Sequence, residues 1–551
     1  MEDAAQFLNS IDKKALLIII LLYISITLFS FLTLRFKPRS LYAGVLTIIV
    51  GGLFFIYPDY FLSKILPYMI APSLLVGVLI GLFTLPEKVD DLWDIKFLTN
   101  KGTKIIRNIK RGVLIFGAAG SGKTESPIYV LLRHFAKKDF TGIVYDYKDG
   151  ELTEICIPLF GDKLKIISMH KAYEDRRVNV FSSKYITDEK DINESVNVLI
   201  SNLGTGKETS DFFQENASAL LTAIVLKFHL DHREYCTLPH VIAFLLAVDF
   251  SENTGGKDYL GKEAIDSFSK LKKFLLSNKR VAIQAAPFVM GLASEKQTAA
   301  VLSTLANSLR KIAFPEAFWS LSGDTIDLNV NHPNNDTVLS IINEPKNDLF
   351  LTPIIATIIH TATKQMMVRD MKHSFLLLDE APTIKLQNMA KIPATMRSFG
   401  VAVIYCAQDL VQGTVRYGRD KFREITANLS TQFFGKANDP DTARFYESYF
   451  ELIEKDQKSI SKKGGGIFET TNGTTTSKRE VSKVRAYEFT KLKAGQFAFL
   501  SDGKNDMVKF NRLMIEREEI DNSLEVSKEN LISNYENILR DIQSFVDHKI
   551  K

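Results

Sequence analysis

Gly117-Ala118-Ala119-Gly120-Ser121-Gly122-Lys123-Thr124 is the stretch from which the rest of the chain can be read. It meets every fixed position of the phosphate-binding pattern G-x-x-x-x-G-K-[ST]. Before it runs the apolar Val113-Leu114-Ile115-Phe116, and after it Pro127-Ile128-Tyr129-Val130-Leu131-Leu132, which can continue a helix. A strand that turns through glycines into a helix N-terminus aims several backbone N–H groups at one point, and the helix dipole favours negative charge there. The expected nucleotide contacts are Gly117, Gly120, Ser121, Gly122, Lys123 and Thr124, with Glu125 beside them. Lys123 is expected to reach the β- and γ-phosphates, and the Thr124 hydroxyl to hold Mg²⁺. The ligands implied are ATP and Mg²⁺.

Phe375-Leu376-Leu377-Leu378-Asp379-Glu380 is an apolar run ending in two carboxylates. Strands buried on both faces read as such runs, and ligands gather at the carboxyl ends of parallel strands. Asp379 is expected to hold Mg²⁺, directly or through water, and Glu380 to act as general base toward the attacking water. A further strand, Val401 to Cys406, leads to Gln408. That residue reads either as a sensor bonding both water and γ-phosphate or as an ordinary loop glutamine. Arg397, on the loop entering the strand, reads either as an arginine finger for a neighbouring subunit's nucleotide or as a surface salt-bridge residue.

The first 90 residues differ from the rest. Ala15 to Leu34 is an uncharged apolar run of 20 residues, long enough as a helix to cross a bilayer. Leu41 to Tyr57 and Ile65 to Leu85 are two more apolar runs. The linker Arg35-Phe36-Lys37-Pro38-Arg39 carries three positive charges, whereas Asp59 to Lys64 carries no net charge. By the positive-inside rule the first linker is cytoplasmic, so three spans place everything after Pro86 in the cytoplasm. A cleaved signal peptide is disfavoured by the length of the first run and by the spans that follow.

The formal net charge of +5 over 551 residues permits a nucleic-acid partner without demonstrating one. Cys156, Cys236 and Cys406 are far apart and lack any metal spacing, so nothing suggests a disulfide framework or zinc, which fits a reducing compartment. Strands are expected at Gly142–Asp146, Leu164–Ser168 and Thr337–Ile342. Between Asp188 and about Ala317 helical periodicity takes over. The stretch from Lys455 to Arg485, with eight Lys or Arg against three acids and a Thr-rich centre, reads as a flexible loop. Gly495–Leu500 and Met507–Phe510 read as a closing hairpin. The tail from about Ser527 reads as a helix with an apolar stripe at Leu531, Tyr535, Ile538, Leu539, Ile542 and Phe545, a face for docking on the body or on a partner.

This ordered set resembles the coupling-protein ATPases of type IV secretion and conjugation, the TraG/TraD-like family. The resemblance rests on the GAAGSGKT loop, Asp146-Tyr147-Lys148-Asp149-Gly150-Glu151-Leu152, Asn179 and Asp211-Phe212-Phe213. Leu378-Asp379-Glu380-Ala381-Pro382-Thr383, Arg397, Gln408-Asp409-Leu410, Asn438-Asp439-Pro440, Gln457-Lys458-Ser459 and Leu492-Lys493-Ala494-Gly495 continue it. It departs from the family in having three spans rather than two, in the additional Asp149 and in Val180 after Asn179.

The fold implied is α/β: a RecA-like P-loop NTPase domain with an inserted all-α domain and an N-terminal transmembrane helical region. The expected division is 1–88 transmembrane, 89–184 and 319–517 the two parts of the nucleotide-binding domain, 185–318 the all-α insertion and 518–551 a helical tail. The resemblance implies a multi-pass inner-membrane ATPase, assembled as a homo-hexamer, that receives a relaxase with single-stranded DNA and passes it to secretion-channel components. Two other readings stand beside it: a nucleotide-gated recruitment receptor for protein cargo, and an FtsK-type DNA pump.

Overall fold

The computed structural model describes residues 90–203, 211–250, 271–291, 295–465 and 469–549, with Ile24, Thr27, Leu28 and Leu75 from the N-terminal part. The chain divides into two units, Met1–Asp90 and Asp91–Lys551. The three expected spans lie, those four residues apart, outside the described residues. No described helix is long and apolar enough to cross a membrane.

The second unit opens with a hairpin, β1 (Ile95–Thr99) and β2 (Gly102–Ile106). Its centre is a sheet of nine strands. Seven of them, β3 (Val113–Phe116), β4 (Thr141–Asp146), β5 (Leu164–Ser168), β6 (Val338–Ile342), β7 (Ser374–Leu378), β8 (Val401–Ala407) and β9 (Thr431–Phe434), run parallel. After β9 the chain makes an antiparallel pair outside the sheet, β10 (Leu452–Gly465) and β11 (Glu469–Ser482). It then returns as β12 (Gln496–Ser501) and β13 (Lys504–Lys509), which close one edge in antiparallel sense. The spatial order is β13-β12-β9-β3-β8-β7-β4-β6-β5.

The apolar runs follow from burial on both faces. Along β8, Val401, Val403, Tyr405 and Ala407 enter one core while Ala402, Ile404 and Cys406 enter the other. Strand β3 does the same, with Leu114 and Phe116 on one side and Val113 and Ile115 on the other. With period two and both faces dry, neither strand carries a charged residue.

Helices α1 (Tyr129–Lys137) and α2 (Glu151–Phe160) follow β3 and β4. Between β5 and β6 the chain is helical: α3 (Glu189–Leu203), α4 (Asp211–Asp231), α5 (Leu238–Phe250), α6 (Lys279–Gly291), α7 (Glu295–Arg310) and α8 (Pro315–Leu321). Then come α9 (Asp348–Gln365) after β6, α10 (Ile392–Met396) before β8, α11 (Leu410–Tyr417) and α12 (Arg419–Ala427) before β9, and α13 (Pro440–Glu447) after it. Helix α14 (Ala486–Thr490) precedes β12, and α15 (Lys528–Lys549) ends the described chain.

One expectation changes, and one open alternative is decided. The polar stretch from Lys455 to Arg485 is no loop: it is mostly the long ribbon β10–β11, whose strands pair only with each other. A two-stranded ribbon outside the core needs no apolar alternation, so composition alone reads it as a loop. The tail helix docks on the body. Leu531, Ile538, Ile542 and Phe545 are buried, and the Phe545 ring meets Phe228, His232, Tyr235, Phe244 and Phe274 of the helical segment.

Candidate nucleotide site

The phosphate loop leaves β3 and is tied down on three sides. Gly117 N–H donates to Ala407 (3.2 Å), Ala118 N–H to Lys436 (2.8 Å), and Gly495 N–H to the Ser121 carbonyl (2.9 Å). Gly122 has φ +84°, and a Cβ there would stand 2.8 Å from the Gly495 nitrogen. Glycine is required at that position by backbone conformation and by close approach. The chain then enters a wide turn, Thr124–Ile128, before α1 begins at Tyr129. Pro127 is accommodated in this turn because the first N–H groups of a helix have no intrahelical acceptor.

Strand β8 lies between β3 and β7, so three strand ends converge. Lys123 Nζ donates to the Gly117 carbonyl (2.6 Å) and stands 3.4 Å from Glu380 Oε1. Gln408 Nε2 donates to the same Oε1 (3.2 Å). Lys123, Asp379 and Glu380 are 6%, 2% and 2% exposed. Glu380 sits at φ +45°, a left-handed conformation uncommon outside glycine, and its carbonyl accepts from Thr383 N (2.9 Å) and Oγ1 (2.7 Å). Tyr145 OH and Thr383 Oγ1 share a 2.8 Å hydrogen bond, and Asn343 Nδ2 donates to Tyr145 OH (3.0 Å). A strained residue held by such a network is the sort of backbone that clusters at functional sites.

Burial pushes the Asp379 carboxyl up to about 7, and the neighbouring Glu380 charge adds to it. Two carboxylates this close and this dry repel each other. Asp379 Oδ1, Glu380 Oε2 and Ser121 Oγ are buried without a hydrogen-bond partner. Orphaned buried acceptors of this kind suit a hard divalent cation with its water shell. The donor set, two carboxylates and the Thr124 hydroxyl, therefore fits Mg²⁺. From the loop a cleft of about 780 Å³ opens past Gly122, Glu125 and Ser126 toward Asn511, Arg512 and Arg517.

Gly117, Gly120, Ser121, Gly122, Lys123, Thr124 and Glu125 form the loop and its exit, and Asp379, Glu380 and Gln408 border it. Arg397 does not join them. It is exposed at the other end of β8, and that strand's seven residues carry the chain about 20 Å between the two ends. One residue was given no role in the sequence: Lys148, past the end of β4. Burial pulls its amine down, but the Asp379, Glu151 and Glu380 carboxylates outweigh this and raise it. The available signal was a cation following an apolar strand at its carboxyl end.

A model of the family described as type IV secretory system conjugative DNA transfer matches residues 89–490. Among solved structures, the unbound bacterial conjugative coupling protein TrwBdeltaN70 is similar at 15% identity and TM-score 0.58, covering 76% of this chain and 88% of that one. The plasmid coupling protein TrwB with the ATP analogue ADPNP is similar at 14% identity and TM-score 0.56 (75% and 87% covered). TrwB with ADP and Mg²⁺ is similar at 15% identity and TM-score 0.55 (74% and 87% covered). These likenesses concern the fold. No curated protein sequence matches the chain.

Proposed function

The chain belongs to the type IV secretory system conjugative DNA transfer family, and from that premise we propose that it is the membrane-anchored ATPase that delivers a relaxase–DNA substrate to the secretion channel. One observation carries the ATPase reading: Lys123 and Gln408 both meet Glu380 Oε1, while Oε2 stays buried and unpartnered. Lys123 neutralises the β- and γ-phosphates after exchanging its Gly117 carbonyl for phosphate oxygen. Glu380 Oε2 takes a proton from water as the water oxygen attacks the γ-phosphorus and the bond to the bridging oxygen breaks. Gln408, tied to Glu380, orients that water. Mg²⁺, held by Thr124 and Asp379, would offset charge on the phosphate oxygens. The cleft beside Glu125 and Arg512 has room for base and ribose.

In this reading Arg397 serves the nucleotide of an adjoining subunit in a homo-hexamer, since within its own chain it lies at the far end of β8. The three apolar runs before residue 89 anchor the protein in the inner membrane with the motor in the cytoplasm. The test is steady-state ATP hydrolysis by the full chain, with and without single-stranded DNA, alongside Lys123→Ala and Glu380→Gln. Stimulation by DNA, lost in both variants, supports the proposal. Hydrolysis indifferent to DNA points to a recruitment receptor for protein cargo.

A further inference from the structure

A second cleft, of about 690 Å³, separates the helical segment from the catalytic side of the sheet. Its walls include Ser201 and Glu215 of the helical segment, the stretch Lys385–Lys391 beyond β7, and Lys421 and Glu424 of α12. Lys385, Lys391 and Lys421 line it, and Arg416 lies close by. Among the described residues none of these four cations has an ion-pair partner. Glu215 and Glu424 share the walls without pairing to them. Burial pushes the Lys385 amine down, and the Lys421 and Arg416 charges push it further. Elsewhere in the described chain lysines commonly sit against carboxylates, as Lys364 does with Asp191 and Glu194. Cations close enough to lower one another's proton affinity, as Lys421 and Arg416 do to Lys385, favour an anion between them.

This cleft is also wired to Glu380. The segment Ala381–Leu386 runs from the catalytic carboxylate to the cleft as a strap held from both sides. Arg416 donates to the carbonyls of Pro382 (2.8 Å) and Thr383 (2.6 Å). Tyr417 OH donates to the Ile384 carbonyl (3.1 Å) and accepts from Leu386 N–H (3.2 Å). From the helical segment, Asn202 grips Lys385 twice: its Oδ1 accepts from Lys385 N–H (2.9 Å), and its Nδ2 donates to the Lys385 carbonyl (2.9 Å). An amide that bonds both backbone groups of one residue acts as a strand partner would. Lys385 thus lines the cleft while its backbone is fixed to the strap.

We propose that this cleft is a binding subsite for the phosphodiester backbone of single-stranded nucleic acid, with Lys385, Lys391 and Lys421 as the phosphate contacts. The Asn202-held strap carries occupancy of the subsite to Glu380. The inference rests on the translocase reading and adds to it the place where cargo touches the motor. No base-reading group is required, so binding there is indifferent to sequence and sensitive to salt.

The test uses the full-length protein and a fluorescent oligothymidine, titrated over a series of salt concentrations. The double variant Lys385→Gln/Lys421→Gln is expected to flatten the dependence of log affinity on log salt by about 1.4, or about 0.7 per lysine removed. Lys385→Arg/Lys421→Arg is expected to keep the wild-type slope. Asn202→Ala is expected to bind oligothymidine normally while losing its stimulation of ATP hydrolysis. An unchanged slope in the glutamine variant, with wild type binding well, overturns the subsite and leaves the translocase reading intact. Wild type that neither binds nor responds to oligothymidine overturns both. Binding of phosphatidylglycerol vesicles through these lysines, with no competition from oligothymidine, overturns the choice of nucleic acid. Stimulation that persists in Asn202→Ala overturns the strap.

Discussion

Strand β8 ends in two very different environments. At its carboxyl end Gln408 meets Glu380 in a crowded, water-poor pocket of charges. At its amino end Arg397 stands in the open, capped by Gly400 at φ +72° and without an ion pair among the described residues. The strand between them is apolar throughout. A parallel sheet sorts chemistry in this way because its strands leave the core together at one end, and residues far apart in sequence meet there. Lys123 and Glu380 are separated by 257 positions. The opposite end gathers a different set, Lys163 and Lys372 around Asp336, with no part of the phosphate loop, so a residue there acts on a nucleotide only by belonging to another subunit.

The largest effect that bears on this contrast is at the open end. Arg397→Ala is expected to lower hydrolysis by about 10³- to 10⁵-fold under assembling conditions, with nucleotide affinity of the isolated chain unchanged. Wild-type turnover in this variant would reduce Arg397 to a surface cation. At the crowded end, Glu380→Gln is expected to cost about 10²- to 10⁴-fold in turnover while retaining ATP, as a filter-binding assay would read. If turnover survived, the proton would have to go elsewhere.

A smaller effect concerns the joint between sheet and helical segment. Helix α3 bonds the catalytic strap through Asn202, and near its other end Asp191 and Glu194 pair with Lys364 of α9. Beside them, burial holds His360 down to about 4, against an ordinary 6.5, and Glu194 at 3.8 Å does not reverse this. The unfolded chain takes up a proton in that window and the folded chain does not. Stability conferred by neutral His360 is therefore full above pH 6.5 and is lost as pH falls toward 4, by about 3 kcal/mol. Chemical denaturation across that range should show the loss, and His360→Gln should flatten it. A variant as acid-sensitive as wild type would assign the effect to other groups.

The least effect is expected from the ribbon. Its base is already closed by Lys483 N–H donating to the Glu451 carbonyl (2.8 Å). Replacing β10–β11 by a short turn should shift stability by less than about 1 kcal/mol, measured by thermal melting. A larger loss would mean that the ribbon supports the sheet edge.

These same contrasts decide what could be read in advance. Strands buried on both faces announce themselves, so β3, β4, β6, β7 and β8 were legible, as was the edge strand β5 from its Ile166-Ile167, and with them Lys123 in the loop after β3 and Asp379, Glu380 and Gln408 past the ends of β7 and β8. The four-residue β9, with Gln432 in its middle, is too short to show a pattern. The ribbon carries no apolar alternation at all. Strand order was illegible because it depends on pairing between distant segments. The setting of Lys148 was hidden for the same reason: Glu151 is its neighbour in sequence, but Asp379 and Glu380 lie more than two hundred positions away along the chain.

The bond from Gly495 to Ser121 has a consequence for how the protein is made. Ribosomal synthesis releases the phosphate loop well before Gly495, the residue that fixes it. The neighbouring sheet edge closes through Lys509 N–H and Asn100, which are 409 positions apart. Such long-range pairings form late and slowly. The nascent chain therefore carries an unfinished nucleotide cradle until β12 and β13 have been delivered.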